Sequence, residues 1–315
     1  MNDSKKNWTI EEISVIYQQP FNNLLHEAHS IHLNHHDANS LQFATLLSIK
    51  TGACPEDCGY CSQSGLAKTH VEKEQLMSVD AVLKKAQEAK DSGATRFCMG
   101  AAWRCPPEKV MPELKHMIQG VKALGLETCM TLGMLNQKQA CDLKEAGLDY
   151  YNHNIDTSPS FYEKVVTTRQ FSDRIDTLNN VRSAGINVCC GGILGLGETR
   201  ADRIEFLHTL VNLESPPESI PINRLIPVEG TRLAKAEQVE GIELVRTIAT
   251  ARILMPESMI RLTAGRTQMS DELQALCYYA GANSVFIGDR LLTEENPQRD
   301  KDKALFNKLG LTELV

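Results

Sequence analysis

Three cysteines crowd into Cys54-Pro-Glu-Asp-Cys58-Gly-Tyr-Cys61, separated by three and then two residues. Thiolates are preferred ligands for soft metals and for iron–sulfur clusters. A loop this short can wrap three corners of one cube. A closed [4Fe–4S] site takes four cysteines, and the next one along the chain is Cys98. Three protein ligands leave one metal position open, where a cofactor or substrate can bind. The competing reading is a zinc knuckle completed by His70, although this is not the usual zinc spacing.

Cys98, Cys129 and Cys189 fall in three separate runs that read as β-strands. In a parallel barrel, residues from different strands point into one lumen. The three thiols suggest a second, deeper site, although on these residues alone buried thiols filling a core are the favoured reading. Strand neighbours face opposite sides, so only one of Cys189 and Cys190 can enter the lumen. Alternation leaves that choice open, and Cys105, Cys141 and Cys277 read as packing or loop thiols. Asn152, Asn154 and Asp156 stand at i, i+2 and i+4 of a predicted strand and share a face. Small polar side chains are poor core material, so this face predicts a polar ligand, and an acid can grip a ribose diol. His26, His29 and His32, with His35 and His36 beyond, could share a helix face. Without a second group of ligands they read as a solvated or partly packed face. The run Gly191–Glu198 is glycine-rich but lacks the Gly-Lys-Ser/Thr ending of a phosphate loop.

The elements that must position these residues repeat in a regular order. Strands are predicted near 43–49, 95–100, 127–132, 149–155, 187–194, 219–226, 259–264 and 284–287. Amphipathic helices are predicted over 78–91, 108–124, 136–146, 172–184, 200–213, 242–254 and 271–280. Gly93, Gly125, Gly147, Gly185 and Gly281 each follow a helix, where a left-handed residue is favoured. Thr9 and Glu12 form a capping box, and Pro20 suits the first turn of a second helix. Eight strands with helical crossovers predict a TIM-type (β/α)8 barrel over 41–315 with a C-terminal tail. A helical N-terminal extension over 1–40 precedes it. A doubly wound open sheet is the other arrangement that this alternation allows.

Composition narrows the function classes. The chain of 315 residues is 42% hydrophobic and 23% charged, which excludes disordered and low-complexity scaffolds. No run of eighteen apolar residues predicts a membrane span, and Met1–Lys6 lacks the apolar core of a secretory signal. Ten cysteines without such a signal point to free thiols in a reducing, cytoplasmic setting. The formal charge of −7, from 33 basic and 40 acidic residues, carries no footprint for nucleic acid.

The cysteine triplet, with Tyr60 inside it, resembles the radical S-adenosylmethionine (SAM) enzymes. More specifically, Cys54–Ser64, Tyr150–Asp156, Gly191–Glu198, Pro221–Asn223 and Arg261–Arg266 together resemble the biotin synthase family, from about Leu41 to Gly310. The resemblance implies sulfur insertion into dethiobiotin at C6 and C9. It implies SAM at the open iron of a [4Fe–4S] cluster on Cys54, Cys58 and Cys61. A [2Fe–2S] cluster is implied on Cys98, Cys129, Cys189 and Arg261, which leaves Cys190 a packing or loop thiol; an arginine ligand does not follow from residue chemistry. The SAM contacts implied are Tyr60 and Ile193 at the adenine, Asn154 and Asp156 at the ribose, and Arg174 at the methionyl carboxylate. The alternative for Arg174 is a solvated helix charge. Asn152 and Asn223 are implied at the ureido ring and Thr293 at the tail carboxylate. The family follows that Thr with another, where this sequence has Glu294. An external electron donor, flavodoxin- or ferredoxin-like, and a homodimer are implied as well. The alternatives are another radical SAM enzyme on the same barrel, such as a carbon-skeleton mutase, and a non-enzymatic iron–sulfur carrier or sensor.

Overall fold

The computed structural model describes residues 7–314; the charged stretch Met1–Lys6 lies outside them. Eight strand positions close into a parallel barrel. They are β1 (Ser40–Lys50), β2 (Arg96–Ala101), β3 (Glu127–Thr131) and β4 (Tyr150–Asn152), then the split position β5 (Asn187–Cys189) and β6 (Gly192–Leu194), then β7 (Ser219–Arg224), β8 (Met259–Leu262) and β9 (Ser284–Phe286). Each pairs with the next in parallel, β6 pairs with β7, and β9 returns to β1. The barrel is thus the predicted closed form, and the open sheet is excluded.

Helices form where caps and apolar spacing agree. They are α1 (Ile10–Tyr17), α2 (Phe21–His35), α3 (Val79–Lys90), α4 (Met111–Ala123), α5 (Gln137–Glu145), α6 (Tyr162–Val165), α7 (Phe171–Ser183), α8 (Arg200–Val211), α9 (Gly241–Leu254), α10 (Asp271–Tyr279) and α11 (Arg299–Leu309). Thr9 and Glu12 make the expected capping box of α1, and Thr199 with Asp202 makes another at α8. Pro20 sits at the cap position of α2, one residue earlier than a first-turn proline. The five glycines expected after helices all have φ between 75° and 112°. Helices α1 and α2 dock on α8 and α9. Ile13, Tyr17 and Leu24 are fully buried there, each contributing about 1.5–3 kcal/mol. That cover explains why α9 is buried on every face from Glu243 to Leu254.

The histidines of α2 form a partly packed face, with His26 and His35 exposed. His29 stacks on Tyr279 with ring centroids 3.9 Å apart, and His32 is buried. The His36 Nε2 lies 2.9 Å from the Arg252 guanidinium. Among the described residues, no three His, Cys, Asp or Glu side chains are grouped as ligands of a single ion.

Two strands differ from expectation. β4 ends at Asn152, because the chain turns out of extended geometry and Asp156 takes φ 66°. The run 187–194 divides at Cys190–Gly191, where β7 passes so close that a Cβ on Gly191 would lie 1.9 Å from the Pro221 carbonyl oxygen. β10 (Arg290–Leu291) and β11 (Glu294–Glu295) form an antiparallel hairpin. β12 (Thr312–Glu313) adds to the start of β1.

Gly191→Ala is expected to cost about 2–4 kcal/mol, since the clash is with backbone that cannot yield. Gly288→Ala, with φ 103° but no atom within 4 Å, should cost only about 1–2 kcal/mol of backbone strain. Chemical denaturation of the two variants checks the ordering, and equal losses would place the β5–β7 crowding in error.

Candidate active site

Strand alternation delivers the lumen. Cys98 pairs in register with Cys129, and Cys189 with Asn152. Cys98, Cys129 and Cys189 are all buried and gather in one cluster with Ala44, Phe286 and Leu291. The Cys129 thiol lies within hydrogen-bonding reach of both neighbours. That contact holds Cys98 and Cys189 below the ordinary thiol range, helped against burial by the Arg261 and Arg96 cations. Cys129 is pushed well up by the same contacts and by burial. Cys190 faces the outer apolar core instead, where burial pushes its thiol up.

A polar layer forms the floor beneath the thiols. Arg261 donates through Nε to Ser284 Oγ at 2.8 Å and through Nη2 to Gln42 Oε1 at 3.0 Å. Gln42 in turn donates to Glu127 at 3.2 Å, and Glu127 pairs with Arg96 at 3.0 Å. Arg96 also lies over the Tyr150 ring, 3.5 Å from its centroid. Its Nη1 is buried without a partner. A donor set of three thiols, two of them drawn toward thiolate, with an orphaned cationic nitrogen alongside, fits an anionic iron–sulfur group. Arg96 was not singled out from sequence, because a cation at a strand start reads as a surface residue until the barrel closes over it.

The Cys54–Cys61 loop lies at the C-terminal mouth of the barrel. Its backbone is tied by Cys54 N to Gln63 O at 2.9 Å and Gly65 N to Cys54 O at 2.7 Å. Cys54, Cys58 and Cys61 wall one cavity of about 290 Å³ with Tyr60, Asn152, Asn154, Asp156, Arg174, Ile193 and Asn223. Burial pushes the Cys58 thiol up to about 11 and the Cys61 thiol up to about 12. Neutral thiols in an apolar wall are what metal binding converts to thiolates, so the loop fits a cluster. Arg169, also missed from sequence, donates to Cys58 Sγ at 3.3 Å. His153 lines the same cavity, with Nε2 buried and unpartnered. Burial first, then Arg174 and Arg169, hold it neutral.

The single polar face expected at 152–156 is replaced by a turn. Asn152 stays on the strand end, where its amide donates to Asn154 Oδ1 at 3.1 Å and accepts from Thr131 Oγ1 at 3.1 Å. Asn154 Oδ1 accepts from Gly191 N at 3.1 Å. Asn223 is oriented by its bond to Gly192 O at 3.0 Å and by Thr263 Oγ1 at 2.5 Å. Arg174 is not a solvated charge. It is buried, ion-paired with Asp156, and donates to Tyr162 Oη at 3.0 Å. Asp156 and Arg174, expected to meet different parts of a ligand, meet each other. A second cavity of about 140 Å³ joins Asn152, Asn154 and Asn223 to Cys98, Cys129, Cys189 and Arg261. The polar amides therefore stand between the two thiol groups.

A closed parallel barrel with an open three-cysteine loop at its mouth defines a radical SAM enzyme, and comparisons agree. The radical SAM superfamily profile matches residues 48–210, and the Biotin and Thiamin Synthesis associated domain matches 221–312. The biotin synthase of Legionella pneumophila (strain Lens) is 80% identical over 315 residues, 100% of both chains. That of Brucella ovis is 61% identical over 304 residues, 96% of this chain and 93% of the relative. The chain belongs to the biotin synthase family. Two solved structures share the fold at 16% identity. Methylornithine synthase has a TM-score of 0.81 over 98% of this chain and 94% of its own. A FeFe-hydrogenase maturase from Carboxydothermus hydrogenoformans has 0.80 over 96% and 75%. Among the described residues, no helix is long and apolar enough to cross a membrane.

Removing one member of a buried ion pair typically costs about 3–5 kcal/mol. Asp156→Asn and Arg174→Met are each expected to approach that loss in the cofactor-free protein. The double variant should recover part of it. Denaturation of all four proteins measures the coupling, and additive losses would mean the pair is not a unit.

Proposed function

We propose that this protein inserts sulfur into dethiobiotin at C6 and C9 to form biotin, the last step of biotin biosynthesis. The observation that carries the reading is the stacking of two thiol groups along one lumen with ligand-facing amides between them. An electron carrier has no use for such amides, and a carbon-skeleton mutase has no use for the lower trio.

Cys54, Cys58 and Cys61 would hold the [4Fe–4S] cluster, and Cys98, Cys129, Cys189 and Arg261 the [2Fe–2S] cluster. When bound, the clusters and SAM supply the one-electron chemistry that removes hydrogen from unactivated carbons and the sulfur that replaces it. The chain's own residues bind, orient and shield. Tyr60 and Ile193 offer flat and apolar contact to the adenine. Asn154 and the Asp156–Arg174 pair supply acceptors and a cation to the ribose and methionyl carboxylate. Asn152 and Asn223, held by Thr131 and Thr263, would offer amide donors and acceptors to the ureido ring, with the Asn152 amide hydrogens redirected from Asn154 and Cys189. Thr293 lies where the acid tail would end. Leu46, Phe286 and Leu292 close apolar walls around the reacting carbons, which keeps water away. No acid–base pair is required for hydrogen abstraction from carbon. The same reading includes an external electron donor, flavodoxin- or ferredoxin-like, a homodimer and a cytoplasmic setting, each resting on the family resemblance and the free thiols.

Anaerobic incubation with dethiobiotin, SAM and a low-potential reductant should yield biotin by mass. Cys58→Ala should abolish SAM cleavage; abundant 5′-deoxyadenosine from that variant would overturn the reading. Cys189→Ser should lose or strongly perturb the [2Fe–2S] absorption, while Cys190→Ser should retain it. The reverse result would exclude the lower thiol trio as the second cluster site.

A further inference from the structure

The central space has a side arm of about 190 Å³. It shares Asn223, Ile193 and Tyr60 with the cavity at the cysteine loop. Its remaining walls are mostly aliphatic, among them Leu46, Leu225, Ile226 and Val228. Beyond Asn223, its polar side chains include Gln63, Thr263 and the group Ser62, Thr293 and Glu294. Arg224 borders the arm but falls on the outward side of β7 with the buried Ile220 and Ile222. Its Nη atoms donate to the Val239 and Gln268 carbonyls, and its Nε is buried without a partner. A substrate with a ureido ring at the amides and a straight-chain acid tail fits this arm with its carboxylate at Ser62 and Thr293.

Those two hydroxyls are already engaged. Ser62 Oγ lies 2.9 Å from Thr293 Oγ1 and 3.1 Å from Glu294 Oε1. Thr293 Oγ1 lies 3.1 Å from the same carboxylate oxygen. Each hydroxyl has one proton to donate, and both can be directed at Glu294. An arriving carboxylate would meet a like charge and two hydroxyls already committed to it. We propose that Glu294 is a specificity-determining placeholder, an internal carboxylate that holds the tail-binding hydroxyls and must leave them when an anionic tail binds. The inference rests on the reading that the dethiobiotin tail ends at Thr293.

The hairpin is built for such a displacement. It has only two residue pairs, Arg290 with Glu295 and Leu291 with Glu294, and two-stranded ribbons are marginal by themselves. Leu292 at its tip has φ 41°, a strained geometry for a branched side chain. Leu292 plugs the mouth, with its Cδ2 2.8 Å from where a Cβ on Gly100 would stand. The base is firm, since Asn296 donates to Phe286 O at 2.9 Å and Gly288 O at 2.8 Å. Movement is thus confined to the tip, and the half-exposed Glu294 side chain can swing to water.

The test is equilibrium binding of dethiobiotin and of its uncharged methyl ester to the reconstituted, SAM-loaded protein. Glu294→Gln keeps the acceptor oxygen and the shape but removes the charge. It should tighten dethiobiotin about three- to tenfold, below 1.4 kcal/mol, and leave the ester nearly unchanged. An unchanged ratio between the two ligands would overturn the proposal, whether the variant binds both better, both worse or both alike. Thr293→Val separates the two levels of the argument. If it weakens dethiobiotin while Glu294→Gln leaves the ratio fixed, the placeholder fails and the tail site stands. If Thr293→Val leaves dethiobiotin binding unaltered, the tail site itself is elsewhere and the placeholder falls with it.

Discussion

Closure of β9 onto β1 is the constraint from which the site follows. Once Gln42, Phe43 and Ala44 pair with Ser284, Val285 and Phe286, no strand can slip by one residue without turning its whole inner face outward. Alternation then decides which side chains share the lumen. It brings Cys98, Cys129 and Cys189 together and puts Cys190 outside. The thiols need no local signal to find one another, because the pairing of backbones has already done so.

Closure also creates a problem that the floor solves. Two arginines, Arg96 and Arg261, are buried inside the barrel, where an unpaired charge is costly, and the half-exposed Glu127 stands at its edge. Glu127 takes one ionic partner, Arg96, and one amide partner, Gln42, while Gln42 and Ser284 take Arg261. The layer carries two cations against one anion. That residual positive charge faces the thiol trio and adds to the Cys129 hydrogen bonds that draw Cys98 and Cys189 toward thiolate. The imbalance would be a fault in a structural core. It is appropriate under a group that brings negative charge, so the electrostatics of the floor and the chemistry of the thiols support the same assignment.

How much of this was legible in sequence depended on whether a signal was local. The cysteine triplet was, because its ligands are contiguous and the spacing alone limits what they can wrap. The helix ends were, because each carries its own glycine or capping side chain. Cys189 over Cys190 was legible through alternation and family pattern together. The end of β4 at Asn152 was not, since no glycine marks the turn and an Asp tolerates a left-handed backbone better than most residues. The pairing of Asp156 with Arg174 was hidden for a different reason. The two lie eighteen residues apart on a loop and on α7, and each alone reads as a ligand contact. Arg96, Arg169 and His153 acquire their roles only from what closure sets beside them.

The placement of strain extends the same logic. Four non-glycine residues among those described have positive φ: Asn7, Ala53, Asp156 and Leu292. Ala53 directly precedes the first cysteine of the loop. Asp156 and Leu292 line the cavity at the cysteine loop. Such residues cost of order 1–3 kcal/mol each and persist where their surroundings over-determine them. Asp156 is held by its ion pair with Arg174 and by its bridge to Gly192. Ala53 is held by the backbone bonds flanking Cys54. Leu292 is held by apolar contact, by the two residue pairs of its hairpin and by a latch of two hydroxyls and one carboxylate. The first two are therefore fixed parts of the ligand frame, whereas the third is a strained tip on a weak fastening. Rigid walls on the cluster side and a releasable edge on the tail side are what a site needs if it must exclude water during the reaction and still exchange its substrate.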